Sequence, residues 1–175
     1  RQNFRDFEVV FFDDDSSDGS VEFVRSHYPK IRVIQSERNI GIAAAQNRGY
    51  KEAKGAYIVS LHNDTIADKN WLRTLVLSMK RSRKYIVIIE GGVYHFKCIG
   101  ALHGSLNIAA YNTLDKNKDP RKKFYSGTCS MIIRNGILND YFDEDYFFYG
   151  EDVYLGWLLR LKGYDIVREP DSKVM

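Results

Sequence analysis

The sequence has no long hydrophobic run, few cysteines and almost no excess of charge of one sign. No apolar stretch among its 175 residues approaches the roughly 20 residues that a membrane-spanning helix needs. Two cysteines far apart in the sequence, Cys98 and Cys129, exclude a disulfide-rich scaffold and favour a reducing, cytoplasmic setting. Lysine and arginine exceed aspartate and glutamate by 26 − 23 = 3, a balance that does not predict a nucleic-acid partner.

Two short basic runs stand out against this even balance. They are Lys80–Lys84 and Lys116–Lys123. Such runs are most often solvated faces or loops, yet they also suit an anionic lipid surface. Peripheral association with the inner face of a membrane therefore stays open. The first six residues carry neither the apolar core nor the cleavage pattern of a secretory signal.

Hydrophobic periodicity predicts alternating strands and helices. The predicted strands are Phe7–Phe12, Ile31–Ile34, Ala56–Leu61, Tyr85–Val93 and Thr128–Ile133. The predicted helices run from Ser17 or Asp18 to Tyr28, and over Ile42–Lys54, Asp68–Lys80 and Glu151–Lys162. The polar segment Asn112–Lys123 is a predicted loop, and Trp157 is a predicted core residue. This alternation favours one α/β domain with a largely parallel sheet over residues 1–175.

Acidic and polar clusters follow two of the predicted strands. Asp13–Ser17 follows the first strand, and His62–Asp64 follows the third. Ligands of open α/β sheets bind outside the carboxyl ends of the strands, so both clusters are expected to line one crevice. Carboxylates there accept hydrogen bonds from a nucleoside or hold hard cations such as Mg²⁺ and Mn²⁺. The alternative is that both clusters are ordinary turns and helix caps.

A third acidic pair lies at the start of the last predicted helix. Glu151 and Asp152 occupy its first turn, where the helix dipole and free N–H groups favour ionised carboxylates. An ionised carboxylate that faces the crevice could take a proton from an attacking hydroxyl. The alternative is the usual enrichment of acids in a first helical turn.

The three clusters, taken in order, resemble the inverting GT-A glycosyltransferases of family 2, and in particular their bacterial rhamnosyltransferase-like members. The segments that carry the resemblance are Phe7–Ser20 (FEVVFFDDDSSDGS), Asn39–Gly49 (NIGIAAAQNRG), Ala56–Thr65 (AYIVSLHNDT), Gly127–Arg134 (GTCSMIIR), Tyr141–Glu144 (YFDE) and Tyr149–Asp152 (YGED). Each segment is moderately specific alone, whereas the ordered set covers nearly the whole chain.

The resemblance implies a Rossmann-like, three-layer α/β/α fold, with a donor-binding part at about 1–93 and an acceptor-side part at about 94–175. It implies transfer of a sugar, rhamnose at the level of the family, from a UDP- or dTDP-sugar with inversion at the anomeric carbon. The acceptor would be a glycan or a lipid-linked hydroxyl in cell-surface polysaccharide synthesis. Mn²⁺ or Mg²⁺ would be the cofactor.

The resemblance also implies roles for individual residues. The donor contacts would be Asp13, Asp14, Asn39, Gly41, Asn47 and Asn63. Asp64 would hold the metal with help from His62, because it is the one carboxylate of an incomplete DxD-type motif in His62–Asp64. Asp152 would be the general base, with Glu151 as the second choice.

The ends of the chain carry a further expectation from the resemblance. Family members begin with another strand and helix before the equivalent of Phe7, so we expect a domain truncated at both ends. A missing strand would leave an unpaired sheet edge that a stable monomer avoids, and an oligomer is compatible with such an edge.

Three other functions compete with sugar transfer. A nucleotidyltransferase of related fold also uses acids at strand ends, but it should show a glycine-rich basic phosphate loop. A receiver-like signalling domain leaves Asn39–Gly49 and Tyr149–Asp152 unexplained. A non-catalytic, sugar-nucleotide-binding relic fits the incomplete metal motif.

Overall fold

A computed structural model describes residues 1–95, 98–99, 104–106, 112–114 and 121–175. The helices are α1 (Ser20–His27), α2 (Ile42–Glu52), α3 (Trp71–Arg81) and α4 (Glu151–Leu161). The strands are β1 (Val10–Asp13), β2 (Arg32–Gln35), β3 (Tyr57–Leu61), β4 (Ile86–His95), β5 (Cys98–Ile99), β6 (Gly104–Leu106), β7 (Asn112–Leu114), β8 (Lys122–Lys123), β9 (Ser130–Arg134) and β10 (Asp165–Val174).

The main sheet has six strands in the order β3-β9-β4-β10-β8, with β5 paired to β4. Strands β3, β4 and β10 run in one direction, because β9 is antiparallel to both β3 and β4 while β10 is parallel to β4. The reversed strand β9 brings its first residues beside the end of β3, where Leu61 pairs with Ser130. The carboxyl end of β3 therefore faces residues from a distant part of the chain.

Strands β1 and β2 form a second, parallel sheet of their own. Within the part of the chain that the structure describes, β1 pairs with β2 alone, so its other edge carries no ladder. Phe7 and Val9, just before β1, are 48% and 41% exposed. Helix α2 connects the two sheets, since Gly49 packs against Phe12 of β1 while Tyr50 shares a core cluster with Ile58 of β3.

The main sheet lies between two helical layers. One face packs on α2 and α4 through a cluster that contains Ala43, Tyr50, Ile58, Ile88, Ile133, Leu155, Leu159 and Ile166. The other face packs on α3 through Trp71, Leu72, Leu75, Val76, Met79, Ile89, Ile132 and Val174. Neighbouring residues of one strand alternate between these clusters, as the pleat requires. The predicted three-layer α/β/α arrangement is thus confirmed.

Helix α3 begins three residues later than predicted because Asp68 folds a turn ahead of it. The Asp68 carboxylate accepts the N–H of Asn70, and the side-chain carbonyl of Gln2 accepts the N–H of Leu72. These bonds satisfy donors that a helix start leaves without an intrahelical partner. The first residues of the chain therefore cap α3.

Two other local predictions are wrong, and one strand was missed. The predicted loop Asn112–Lys123 contains β7 and β8, the latter paired with β10. Trp157 is 43% exposed and packs edge-on against Phe124, so it is not a core residue. Strand β10 was not predicted, although it lies between β4 and β8 in the sheet.

Part of the predicted acceptor-side region lies outside the described residues, including most of the basic run Lys116–Lys123. Within the residues that the structure does describe, no helix is both long and apolar enough to cross a membrane.

Two helical glycines provide a matched test of the packing. A Cβ on Gly156 of α4 would lie 2.6 Å from Tyr125 Cβ and 2.8 Å from the carbonyl oxygen of Phe124, whereas one on Gly49 of α2 meets only Phe12 Cβ at 3.8 Å. Gly156→Ala should lower the free energy of unfolding by about 2 kcal/mol through overpacking. Gly49→Ala should raise it by up to about 1 kcal/mol through helix propensity. Urea unfolding of both variants measures the difference, and equal effects would contradict the packing of α4 on residues 124–125.

Candidate active site

The first strand delivers a buried carboxylate at its carboxyl end. Asp13 is 3% exposed, and its Oδ2 accepts the N–H of Ser16 at 3.1 Å. Its backbone carbonyl accepts the N–H of Ser36 at 2.9 Å, which joins the ends of β1 and β2. Asp15, two residues on, has a φ of 65°, the left-handed conformation of a tight turn. Asp13 is therefore held rigidly beneath the turn that follows it.

Asp14 holds the loop that precedes α2. Its two carboxylate oxygens accept the N–H groups of Ile40 and Gly41 at 2.9 and 3.1 Å. The side-chain oxygen of Asn39 accepts the Gly41 N–H as well, at 3.0 Å. The structure thus brings together three of the predicted donor contacts in one loop. These bonds make Asp14 a residue that positions the loop, and its contact with a nucleotide stays a prediction.

Gly41 allows a close approach between this loop and a distant segment. Its φ is 84°, and a Cβ there would lie 2.7 Å from both the carbonyl oxygen and a ring carbon of Phe147. The N–H of Ile42 donates to that same carbonyl at 3.0 Å. Any larger residue at position 41 would push Phe147 away.

Asn47 joins α2 to the segment before α4. Its side chain is 1% exposed. Its Nδ2 donates to the carbonyl of Phe142 at 2.8 Å and to Glu144 Oε1 at 3.1 Å. Its Oδ1 accepts the N–H groups of Tyr141 and Phe142 at 3.1 and 3.0 Å. The amide is fully used within the protein, so the structure places Asn47 as a positioning residue behind the site.

The end of β3 places His62, Asn63 and Asp64 beside the start of β9. The His62 N–H donates to the carbonyl of Cys129 at 3.2 Å, and His62 Nε2 lies 3.1 Å from Thr128 Oγ1. Burial lowers the pKa of His62, and the charge of Asp64 opposes that shift only in part. His62 is therefore neutral near pH 7. Asn63 and Asp64 are exposed.

The side chains at the end of β3 fit a metal ion that takes most of its ligands from a bound substrate. Within the described part of the chain, no three histidine, cysteine or acidic side chains form a metal-binding group. Mg²⁺ sites commonly use one or two carboxylates and take their remaining ligands from water and substrate phosphates. Asp64 supplies such a carboxylate at the surface, and His62, two residues before it, is a partly buried imidazole donor on the same loop.

The start of α4 carries two acids in different surroundings. Glu151 is 5% exposed, and its Oε2 accepts no hydrogen bond within the described residues. Burial raises the pKa of Glu151, and the neighbouring charge of Asp152 raises it further. Asp152 is half-buried, and its Oδ1 accepts the N–H of Val153 at 2.8 Å. The chain enters the helix through Tyr149 and Gly150, whose φ angles are 65° and 96°.

Cys129 lies where these elements converge. Burial raises the pKa of its thiol to about 11, and the negative charges of Glu90, Asp64 and Asp152 each add to that shift. The end of β3 lies against these residues, because Leu61 pairs with Ser130 and the His62 N–H donates to the Cys129 carbonyl. The start of α4 is close enough for the charge of Asp152 to act on the same thiol. Sequence reasoning missed Cys129 and Glu90. A lone acid in the apolar strand Ile86–His95 was the available signal, because a buried charge is rare without a role.

Comparisons with known proteins identify the family of the chain and its fold. A sequence model of the family described as Glycosyl transferase family 2 matches residues 1–142. The cholesterol galactosyltransferase of Borreliella burgdorferi is 30% identical over 95 residues, which are 53% of this chain and 26% of that protein. The poly-beta-1,6-N-acetyl-D-glucosamine synthase of Staphylococcus aureus is 25% identical over 185 aligned positions, covering 93% of this chain and 41% of that protein.

A solved structure resembles the fold. The crystal structure of GalNAc-T7 with UDP, GalNAc and Mn²⁺ aligns with a TM-score of 0.72 at 18% identity, over 95% of this chain and 37% of that one. The GT-A fold expected from the sequence is thereby confirmed. The chain spans less than half the length of each of these proteins.

Asn47 and its neighbour Gln46 offer a matched pair of amides on one helix. Asn47→Ala would leave the buried N–H groups of Tyr141 and Phe142 without acceptors, and should lower the free energy of unfolding by about 3 kcal/mol. Gln46 Oε1 accepts no hydrogen bond within the described residues, so Gln46→Ala should cost much less. Urea unfolding measures both. Equal losses would show that the Asn47 amide does not hold this segment.

Proposed function

We propose, on the premise that the chain belongs to glycosyl transferase family 2, that it transfers a sugar from a nucleotide-diphosphate donor to an acceptor hydroxyl. The observation that carries the proposal is that the end of β3, which bears Asp64, meets the first residues of β9 at Cys129, whose pKa the charge of Asp152 at the start of α4 also raises. A carboxylate at the end of a strand can hold a metal ion that stabilises the leaving group, and one at a helix start can deprotonate the nucleophile. Sugar transfer needs both functions within one crevice.

The donor side of the proposal centres on Asp13 and the loop before α2. Asp13 is a buried acceptor at a strand end, the position where open α/β sheets bind nucleotides. The second element of the donor side is the loop Asn39–Gly41, which the carboxylate of Asp14 holds in place. A UDP- or dTDP-sugar is the proposed donor, with Asn63 at the diphosphate end. The presence of UDP in the GalNAc-T7 structure supports a uridine nucleotide.

Mn²⁺ or Mg²⁺ is the proposed cofactor, bound by Asp64 with His62 beside it. When bound, such an ion neutralises the charge that develops on a departing diphosphate. The GalNAc-T7 structure contains Mn²⁺, which supports a divalent ion in this fold. Because burial lowers the pKa of His62, the imidazole does not bring a competing positive charge at neutral pH.

Asp152 is the proposed general base. Its carboxylate takes the proton of the acceptor hydroxyl, whose oxygen then bonds to the anomeric carbon as the bond to the diphosphate breaks. A single displacement of this kind inverts the configuration. Glu151 remains the second choice, because burial raises its pKa and thus favours its protonated form. Asp152 is half-buried in the first turn of α4, where the helix dipole favours a negative charge.

The acceptor is proposed to be a growing glycan or a lipid-linked sugar of the bacterial cell surface. A relationship to a polysaccharide synthase of S. aureus supports this class of product. The rhamnosyl preference, a cytoplasmic setting at the inner face of the membrane and an oligomeric state stay predictions. Family membership favours sugar transfer over nucleotidyl transfer, and turnover decides between an enzyme and a binding relic.

The metal assignment predicts a binding result. Calorimetric titration with UDP should show affinity that rises at least about tenfold on adding Mn²⁺, and Asp64→Asn should remove that gain. The matched control is Asp171→Asn, another exposed carboxylate, which should leave the Mn²⁺ effect intact. Equal UDP affinity with Mn²⁺ and with EDTA in the unaltered protein would contradict the assignment of a metal ion to Asp64.

The base assignment predicts a separation of binding from turnover. Asp152→Asn should keep the affinity for UDP but slow nucleotide release from a UDP- or dTDP-sugar, with glycan acceptors present, by about 100-fold or more. Glu151→Gln should have a smaller effect, because burial already favours the protonated form of Glu151. The reverse order of these two effects would move the base to Glu151. Nucleotide binding with no turnover in the unaltered protein would favour the relic.

A further inference from the structure

Four consecutive aromatic side chains lie at the surface directly before α4. Tyr146, Phe147, Phe148 and Tyr149 are 38%, 58%, 64% and 77% exposed. We call these residues the aromatic run. Contiguous apolar groups of this size are rare on a protein surface unless they meet a ligand or a partner. The run lies outside the core, and only Phe147 contacts the donor-side loop, at Gly41 and Ile42.

The first half of the run is anchored to the protein. The Tyr146 ring lies 5.7 Å from the ring of Tyr154, and it occupies the space where a Cβ on Gly150 would stand. Phe147 accepts the N–H of Ile42 and packs on Gly41. The run is thereby fixed between the starts of α2 and α4.

The second half of the run projects from this base. The rings of Phe148 and Tyr149 are 4.1 Å apart and tilted by 55°. Tyr149 has a φ of 65°, a conformation that aromatic residues rarely adopt and that persists only where the surroundings impose it. Glu151 and Asp152 follow within three residues. The exposed rings therefore precede the proposed base by only a few residues, at the start of the same helix.

The charge around the run selects the kind of ligand. Residues 141–152 contain five carboxylates and neither lysine nor arginine. Lys51 of α2 pairs with nearby Asp140, yet the segment that carries the run stays acidic, which disfavours contact of the run with anionic lipid head groups. A neutral ligand with one apolar face fits better. Pyranose rings have such a face, and their electropositive C–H groups match the negative face of an aromatic ring.

We propose that Phe148 and Tyr149 form the subsite for a neutral pyranose ring of the acceptor glycan. The C–H face of the ring stacks on the two aromatic side chains, and its hydroxyl groups lie on the side of Asp152. This subsite rests on the proposed function, since an acceptor sugar must bind beside the base. The contacts of Phe147 with Gly41 and of Tyr146 with Gly150 hold the backbone from which the two rings project, which lowers the entropy cost of binding.

Saturation-transfer NMR with neutral methyl pyranosides tests the subsite without any need for turnover. The panel contains the α and β methyl glycosides of glucose, galactose, mannose and rhamnose. At least one should receive saturation on the protons of its C–H face, and Phe148→Ala should reduce this transfer by about fivefold. Tyr149→Gly should do the same, and it also relieves the strained φ, so misfolding cannot explain its loss.

Two controls separate the subsite from other exposed rings. Tyr149→Phe keeps the ring and should keep the signal. Phe23→Ala removes a ring that is 53% exposed on α1, and it should also leave the signal unchanged. No transfer to any pyranoside in the unaltered protein would overturn the proposal. Equal transfer in the unaltered protein and in Tyr149→Gly would overturn it as well.

Two parallel measurements identify which idea fails. Sedimentation with phosphatidylglycerol vesicles should show no dependence on Phe148 or Tyr149, and vesicle binding lost in their variants would make the run a membrane contact. Titration with UDP should give equal affinity in the unaltered protein and in Tyr149→Gly. If UDP does not bind at all but pyranosides do, the proposed transfer fails while the sugar subsite stands.

Discussion

The side-chain amide of Asn47 is the contact on which the geometry of the site depends. It ties α2 to residues 141–144 through four hydrogen bonds, two of them to backbone N–H groups. The start of α2 carries the loop that Asp14 holds, while residues 141–150 lead into the acids of α4. One buried amide therefore sets the distance between the donor side and the acceptor side. A buried polar group of this kind specifies one arrangement, because any other leaves its partners unpaired.

A gathering of negative charge is the second constraint. Asp64 and Asp152 approach Cys129 from two elements, and Glu90 approaches it from within the sheet. Like charges this close oppose one another, and burial adds to the cost. The raised pKa values of Cys129 and Glu151 favour their protonated forms, which reduces the repulsion between these groups. A cation bound at Asp64 would relieve the rest, which is the electrostatic reason for a metal in the proposed function.

The strand ends and their acidic residues were predictable from the sequence, because a short apolar run that stops at acidic residues depends only on neighbouring positions. Asp13 is the last residue of β1, and Asp64 follows β3 by three residues. The part of Asn47 was not predictable, since its partners Tyr141 and Phe142 lie 94 and 95 residues away. Strand β10 was missed because Arg168–Lys173 is polar and contains Pro170, which hides the apolar pattern. Its pairing with β4 shifts register there, so tertiary packing outweighs local preference.

A crystal structure of the protein with UDP and Mn²⁺ tests the central claim most directly. The account predicts uridine density against Asp13 and the loop Asn39–Gly41, with Mn²⁺ between the diphosphate and Asp64. The chain has another cleft, lined by Asp68, Arg73 and Lys173 on the side of α3. Nucleotide density in that cleft, or at Asp13 with the metal away from Asp64, would contradict the account.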